Sequence, residues 1–255
     1  MHTLEINGGI FLSAHSIIGD RESQQDYYVS RQYSDRTIAI VCDGMGGLAG
    51  GSAASRCAAD MLLRDLERVE IQDNMFGFFK YELERLDDAI FGLRDESGRR
   101  LGAGTTIVAV LISGEKLHWF SVGDSKIYYK RNDEMYCITR EHNYAMKLKE
   151  MLDSHEINEQ EYRSHLSEGE KLISYLGMGV AELFDCNYSP FHMESGDCIF
   201  LCTDGVYRTL SQGEIQSILK QQGSTERICK FFENALFSKK IKNQDNATWI
   251  IIQRR

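Results

Sequence analysis

Residues 37–47, TIAIVCDGMGG, decide the architecture of this chain. Six apolar or β-branched residues in a row predict a buried strand, which ends at Asp43 beside glycine. A strand fixes the backbone, so a carboxylate at its end is held rigidly at the sheet edge. A neighbouring glycine lets another group approach the backbone closely. The same arrangement recurs in residues 198–205, CIFLCTDG, where Asp204 follows the apolar run.

Three further aspartates lie at predicted strand ends. Asp124 follows the run HWFSVG, Asp245 precedes the terminal strand, and Asp26 precedes a short YYV segment. If these carboxylates converge, each pair repels by on the order of 4 kcal/mol at about 4 Å and an effective dielectric near 20. Oxygen ligands of this kind select Mg²⁺ or Mn²⁺. Asp-Gly pairs are also common turn residues, so spacing alone leaves convergence open.

The hydrophobic pattern alternates strands with pairs of helices. Strands are predicted at 10–18, 37–42, 105–112, 116–122, 127–130, 135–139, 197–203 and 248–252, and helices at 52–69, 76–93, 211–221 and 224–238. The four strands from 105 to 139 are expected to form an antiparallel meander with turns at 113–114 and 132–133. This order predicts an α+β fold, an α-β-β-α sandwich of two antiparallel sheets flanked by helix pairs.

Composition limits the classes of function. The 255 residues contain a single proline and no linker-like stretch, which favours one domain over residues 1–255. A net charge of −9 without a basic cluster argues against nucleic-acid binding. Seven scattered cysteines without a Cys-x-x-Cys pair argue against a zinc site and favour a reducing compartment. With no signal peptide or apolar span, we expect a cytoplasmic protein that does not bind membranes.

Several short motifs occur together and in a characteristic order. They are GDRESQQD (19–26), DGMGG (43–47), GAGTT (102–106), VGDSKIY (122–128), TREH (139–142), LG (176–177), LCTDG (201–205) and DNAT (245–248). Through them the chain resembles the type-2C, or PPM, metal-dependent serine/threonine protein phosphatases of the bacterial branch. The resemblance runs from about residue 19 to 252. It implies the same α-β-β-α sandwich and hydrolysis of phosphoserine and phosphothreonine with Mn or Mg.

The resemblance also implies a set of metal ligands. Asp43 would bridge two ions at the core site, and the backbone carbonyl of Gly44 would be a second ligand to one of them. Asp204 and Asp245 would bind the other ion. Asp124, together with Asp204, would form a third metal site.

Further roles follow from the same resemblance. Arg21 would bind the phosphate, for which its planar guanidinium is suited, and Asp26 would orient metal-bound waters. Asp43, Asp204 and Arg21 would thus be the catalytic residues. A water bridging the two ions would attack phosphorus in line. A flap would cover about 143–172. The implied partners are a phosphoprotein substrate and an opposing serine/threonine kinase, with the enzyme acting as a monomer.

Some positions depart from the family pattern, and two alternatives stay open. The departures are Gln24, Gln25, Leu48, Ser52, Lys126 and Glu141, and Met45 stands where eukaryotic members have a histidine. One alternative is therefore an inactive member that acts as a phosphoprotein-binding scaffold. The other is a cysteine-dependent phosphatase, because Cys202 and Arg208 fit a C-x5-R-T pattern. That chemistry needs a thiolate of low pKa, which the nearby Asp204 would disfavour.

Overall fold

The structure is a computed structural model that describes residues 9–47 and 50–255. The strands are β1 (Ile10–Ile17), β2 (Tyr27–Gln32), β3 (Thr37–Cys42), β4 (Gly44–Met45), β5 (Gly104–Thr105), β6 (Ile107–Ser113), β7 (Lys116–Val122), β8 (Lys126–Arg131), β9 (Glu134–Cys137), β10 (Asp185–Cys186), β11 (Phe191–His192), β12 (Cys198–Cys202) and β13 (Ala247–Arg254). The helices are α1 (Gly50–Leu66), α2 (Phe76–Phe91), α3 (Tyr144–Asp153), α4 (Glu159–His165), α5 (Asp204–Tyr207), α6 (Gln212–Leu219) and α7 (Thr225–Ser238). The departure predicted at Leu48 lies outside the described residues.

Two antiparallel sheets form the centre of the fold. The first has the strand order β1-β13-β12-β8-β9, and the second has the order β10-β7-β6-β3-β2, with β11 also paired to β7. Strands β4 and β5 form a separate short pair. Strands β1 and β13 pair at one edge of the first sheet, with Ile10 opposite Arg254 and Ile17 opposite Ala247.

Successive side chains of the central strands point to opposite faces of each sheet, and together they form three apolar layers. In β3, Ile38 and Ile40 pack toward helices α1 and α2, whereas Ala39 and Val41 pack toward the other sheet. In β13, Trp249 and Ile251 lie in the layer beneath α6 and α7, while Ile250 and Ile252 lie between the sheets. Side chains on a strand point to opposite faces in turn, so each central strand serves two layers. The predicted α-β-β-α sandwich is confirmed.

The predicted meander is wrong in one respect. Strands β6 and β7 pair, and so do β8 and β9, but β7 and β8 belong to different sheets. Between them Gly123 has a φ of +100°, a conformation that favours glycine, and a Cβ there would lie 2.6 Å from the side chain of Thr106. The chain therefore crosses from one sheet to the other at residues 123–125. The turns predicted at 113–114 and 132–133 are confirmed, since Gly114 and Asn132 both have positive φ.

The polar segment between β9 and β10 lies beside the sandwich. Asn143 and Leu172 form an isolated bridge that brings the two ends of this segment together. Asn143 caps α3 by accepting from the Met146 amide, and Asn158 forms a capping box with Glu161 at α4. Two capped helices, α3 and α4, thus lie within the segment for which the resemblance implies a flap. In the part of the chain that the structure describes, no helix is long and apolar enough to cross a membrane.

Candidate active site

A cavity of about 630 Å³ opens where strand ends of both sheets meet, and it brings most of the predicted site residues together. Its lining includes six of the seven: Arg21, Asp43, Gly44, Asp124, Asp204 and Asp245. Asp26 is the exception. The remaining lining includes Asn246 and Arg208, and also Glu170 and Leu172 from the segment beside the sandwich.

Each sheet contributes two aspartates to this cavity. Asp43 follows β3 and Asp124 follows β7, and both strands belong to the second sheet. Asp204 follows β12 at the start of α5, and Asp245 precedes β13, so this pair comes from the first sheet. The carboxylates converge because the sheets pack face to face with these strand ends on one side.

The carboxyl groups lie close enough to perturb one another. Burial, together with the charges of Asp26 and Asp204, raises the pKa of Asp43 well above its usual range. Burial and Asp245 also raise the pKa of Asp204. Burial, with a contribution from Asp204, raises the pKa of Asp124 to about 6. The cluster thus carries more negative charge than its surroundings stabilise.

Asp26 lies behind this cavity. It is 6% exposed, and its Oδ2 accepts a hydrogen bond of 2.8 Å from the Thr203 hydroxyl, next to Asp204. Burial raises the pKa of Asp26 to about 7, although hydrogen bonds from Thr248 and Thr203 oppose the shift. The charge of Asp26 also raises the pKa of Asp43, so Asp26 influences the cavity's carboxylates although it does not line the cavity.

Two arginines contact the carboxylates. Arg21 Nη2 lies 2.6 Å from Asp245 Oδ2, and Arg208 Nε lies 2.9 Å from Asp204 Oδ2. Within residues 9–47 and 50–255, no three carboxylate, imidazole or thiol side chains are arranged as a ready-made metal cage. Two of the cavity's acidic residues, Asp245 and Asp204, are paired with guanidinium groups, whose charge offsets part of the repulsion between the carboxylates.

Gly44 is packed against backbone on two sides. A Cβ at this position would lie 2.2 Å from the Gly51 carbonyl oxygen and 2.5 Å from that of Gln25, so a larger residue does not fit. The Asp43 carbonyl accepts hydrogen bonds from the Thr105 hydroxyl and the Thr106 amide. Packing around Gly44 and hydrogen bonds to the Asp43 carbonyl therefore fix the backbone at these two residues. Oxygen-only donors, mutual repulsion and a fixed backbone together fit hard divalent cations.

Sequence reasoning overlooked residues that shape the cavity. Asn246 donates to the carbonyls of Ile18 and Ser23 and accepts from the Gln25 amide, so it holds the loop that carries Arg21. Its presence in the DNAT motif was a signal for this role. Arg208 entered the sequence argument only through the cysteine pattern. Its i, i+4 spacing from Asp204 could have indicated a pair within one helical turn.

The departures from the family pattern have structural partners. Lys126 Nζ lies 2.7 Å from Glu141 Oε1 and 3.8 Å from the centre of the Tyr207 ring, so the two departures at 126 and 141 contact each other. Gln24 donates to Ser16 and to the Ile17 carbonyl, and it accepts from the Asp26 amide. Lys126, Glu141 and Gln24 are thus each ion-paired or hydrogen-bonded within the fold.

Cys202 lies in β12 with its side chain toward the helices. It is fully buried, and burial raises the pKa of its thiol well above the usual range, with a further contribution from Asp204. A cysteine nucleophile needs the opposite, a lowered pKa and an accessible sulfur. The geometry therefore argues against cysteine-dependent chemistry, because Cys202 packs in the core from within β12.

Comparison with known proteins gives one consistent answer. The sequence model of the protein phosphatase 2C family matches residues 15–244. Protein phosphatase PhpP of Streptococcus pneumoniae is 28% identical over 84% of this chain and 87% of its own length. The serine/threonine phosphatase of S. agalactiae has the same fold, with a TM-score of 0.77 at 24% identity over 96% of this chain and all of the other.

A further structure bears on cofactors. The PstP catalytic domain, determined with two manganese ions, superposes with a TM-score of 0.72 at 24% identity and covers 96% of this chain and 97% of its own. Because the family match spans most of the sequence and the fold agrees, this chain belongs to the protein phosphatase 2C family.

Proposed function

We propose that this serine/threonine phosphatase hydrolyses phosphoserine and phosphothreonine in proteins with two divalent cations, Mn²⁺ or Mg²⁺, at its core site. Asp43 and the Gly44 carbonyl would hold one ion, with Asp43 shared, and Asp204 and Asp245 would hold the other. The observation that carries the proposal is the placement of aspartates from both sheets around one cavity. The two manganese ions of the similarly folded PstP domain support the proposed number of two core ions.

Arg21 and Asp26 would bind the phosphate and orient water, respectively. Arg21 lies at the rim with more than half of its side chain exposed, where its guanidinium can bind the phosphoryl oxygens in a bidentate manner. Asp26 holds its carboxylate behind Asp43 and would orient water at the cavity floor. Divalent cations at such a site lower the pKa of bound water and so supply hydroxide near neutral pH.

The proposal extends to the setting of the enzyme. Residues 1–255 would form a single phosphatase domain, in which about 143–172 is a flap beside the substrate cavity. The partners would be phosphoproteins, including targets of an opposing serine/threonine kinase, and the enzyme would act as a cytoplasmic monomer without binding nucleic acid or membranes. The single proline supports one domain, the acidic net charge argues against nucleic-acid binding, and the scattered cysteines favour a reducing compartment.

A phosphothreonine peptide assay tests the chemistry. Wild-type enzyme is expected to release phosphate with Mn²⁺ and to stop when EDTA is added. Asp43→Asn should lose nearly all turnover, whereas Asp88→Asn, on an exposed position of α2, should retain it as a matched control. Activity that survives EDTA would contradict metal dependence. Mn²⁺ binding without any hydrolysis would favour the phosphoprotein-binding scaffold instead.

A further inference from the structure

One arginine connects three acidic groups at the cavity. Arg208 Nε lies 2.9 Å from Asp204 Oδ2, and its Nη2 lies 3.5 Å from Asp124 Oδ2. Its Nη1 lies 2.6 Å from Glu170 Oε2, on the segment beside the sandwich. The first two partners are the aspartates that a third metal ion would require. The guanidinium thus occupies the corner of the cavity where that ion would bind.

The position of Arg208 is set by the local fold. The Arg208 amide donates to the Asp204 carbonyl at 2.9 Å, so both residues belong to the same short helical turn after β12. The hydroxyl of the adjacent Tyr207 donates to the Asp124 carbonyl at 3.1 Å and ties the crossing between the sheets to this turn. One backbone hydrogen bond and the Tyr207 hydroxyl therefore hold the arginine and both aspartates relative to one another.

The charge of Arg208 is permanent. Burial alone lowers the pKa of the guanidinium, but Asp204 and Glu170 outweigh that effect and keep the pKa above its ordinary value. Arg21 differs, because among the described residues its ion pair is with Asp245, and more than half of its side chain is exposed at the rim. Arg21 is free to turn toward a substrate, whereas Arg208 is bound on three sides.

We propose that Arg208 is a built-in cation that replaces the third metal ion, so that this phosphatase binds two divalent cations rather than three. A fixed guanidinium that contacts both Asp124 and Asp204 offsets part of their negative charge and repels a divalent cation from the same corner. Asp124 then serves as a partner of Arg208 and not as a metal ligand. This inference rests on the proposed function, because it presumes the two core ions.

The test is the number of Mn²⁺ ions bound by the metal-free full chain, measured by equilibrium dialysis with electron paramagnetic resonance of free Mn²⁺. Wild type is expected to bind two ions per chain. Arg208→Gln keeps the size but removes the charge, and it should bind three. The double variant Arg208→Gln/Asp124→Asn should return to two, because the uncovered site loses one of its carboxylates.

Two controls separate charge from general disturbance. Arg208→Lys keeps a cation and should stay at two ions. Arg140→Gln, which removes a guanidinium paired with Asp185 outside the cavity lining, should also stay at two. A wild-type value of three, or a value of two for folded Arg208→Gln, would overturn the inference.

A second measurement keeps the inference testable if Arg208→Gln fails to fold. Asp124→Asn in the wild-type background should leave the number of bound ions at two. A drop of one ion would show that Asp124 binds metal and would overturn the inference. If wild type binds no Mn²⁺ at all, the proposed function itself fails, which is a distinguishable result.

Discussion

Asp43 and Asp204 line the same cavity, and the charge of Asp204 helps to raise the pKa of Asp43, while Arg21 and Arg208 contact Asp245 and Asp204. Burial and mutual repulsion raise the carboxyl pKa values wherever these groups are poorly solvated. At the scale of single residues, the same property that destabilises the metal-free cluster makes it a strong ligand set for cations. The arginines lower the repulsion without supplying the coordination that a metal offers.

Arg21→Ala is expected to weaken substrate binding but not metal binding. Losing one charge-assisted hydrogen bond of about 1.5–3 kcal/mol corresponds to a rise in KM of about ten- to a hundredfold. Because Arg21 competes with a cation for Asp245, Mn²⁺ affinity should stay equal or increase. Phosphopeptide kinetics and Mn²⁺ titration measure the two effects. Arg99→Ala, at a highly exposed arginine, is the control, and an equal loss of both affinities would contradict the role.

Cys202→Ala is expected to affect stability and leave the chemistry intact. The thiol is buried in the layer beneath α6 and α7, so its removal should lower the free energy of unfolding by about 1 kcal/mol. Activity per folded molecule should not change. Iodoacetamide on the native enzyme should modify the exposed Cys137 and spare Cys202, as peptide mass spectrometry would show. Inactivation that tracks modification of Cys202 would speak for a cysteine mechanism.

Elements, rather than residues, fix the position of the ligands. The short strand β4 leads from Asp43 along the start of α1, where Gly44 and Gly51 approach each other through their backbones. Ser55 in α1 donates to the Gln25 carbonyl at 2.6 Å, which joins the helix to the loop that carries Arg21. A close contact between β4, α1 and this loop therefore sets the depth of the cavity.

Gly44→Ala is expected to disrupt this contact. The new Cβ would approach two carbonyl oxygens to within 2.5 Å, so backbone must shift, at a cost of about 1–3 kcal/mol in stability. Mn²⁺ affinity should fall because the shift displaces a proposed ligand. Gly47→Ala in the same glycine run is the matched control, since, its own residue and chain neighbours aside, no heavy atom of residues 9–47 and 50–255 lies within 4 Å of the added Cβ. Thermal unfolding and Mn²⁺ titration compare the variants, and equal behaviour would refute the role of the close contact.

At the scale of the whole molecule, the sandwich brings together groups that are distant in sequence. Asp43 follows a strand of one sheet and Asp204 a strand of the other. The Thr106 hydroxyl accepts a hydrogen bond from the Asp43 amide and shares another with the Ser125 hydroxyl. Thr106 thus links the backbone at Asp43 to the segment that follows β7. Folding of the two sheets thus drives the carboxylates together. The stability of the molecule and its affinity for cations are linked for this reason.

The metal-free protein is expected to lose stability as pH rises from about 4 to about 7. The pKa of Asp124 is about 6 and that of Asp26 about 7, against 3.8 in the ordinary state. The folded protein therefore keeps protons that the unfolded chain has already released, and ionising these groups in the fold lowers the free energy of unfolding. The loss is on the order of 3 kcal/mol for Asp124 alone. Urea unfolding in EDTA at pH 5 and pH 8 measures it.

Mn²⁺ should reverse this trend at pH 8, because a bound cation stabilises the ionised carboxylates and binds only the folded state. Asp124→Asn should flatten the pH dependence in EDTA, since it removes one of the titrating groups. Greater stability of the metal-free wild type at pH 8 than at pH 5 would show that the aspartates are not buried as described.

The sequence by itself determined the features that depend on neighbours along the chain. The apolar runs before Asp43 and Asp204 specify strands, and the Asp-Gly step that follows each of them specifies where the strand ends. The apolar stripe of α2 and the order of the motifs were equally local, so helix bounds and the layered fold class were predictable. The glycine after Asp43 indicated a close approach to the backbone, and Gly44 does lie against two carbonyl oxygens.

Only the tertiary structure decided how these pieces meet. Pairing between strands and packing between sheets depend on contacts across the whole chain, which no local pattern encodes. For this reason the crossing at Gly123 that splits the predicted meander was missed, and so was the place of Asp26 behind the cavity. The three-sided contact of Arg208 was missed for the same reason, because Asp124, Glu170 and Asp204 become neighbours only when the sheets and the adjoining segment pack together.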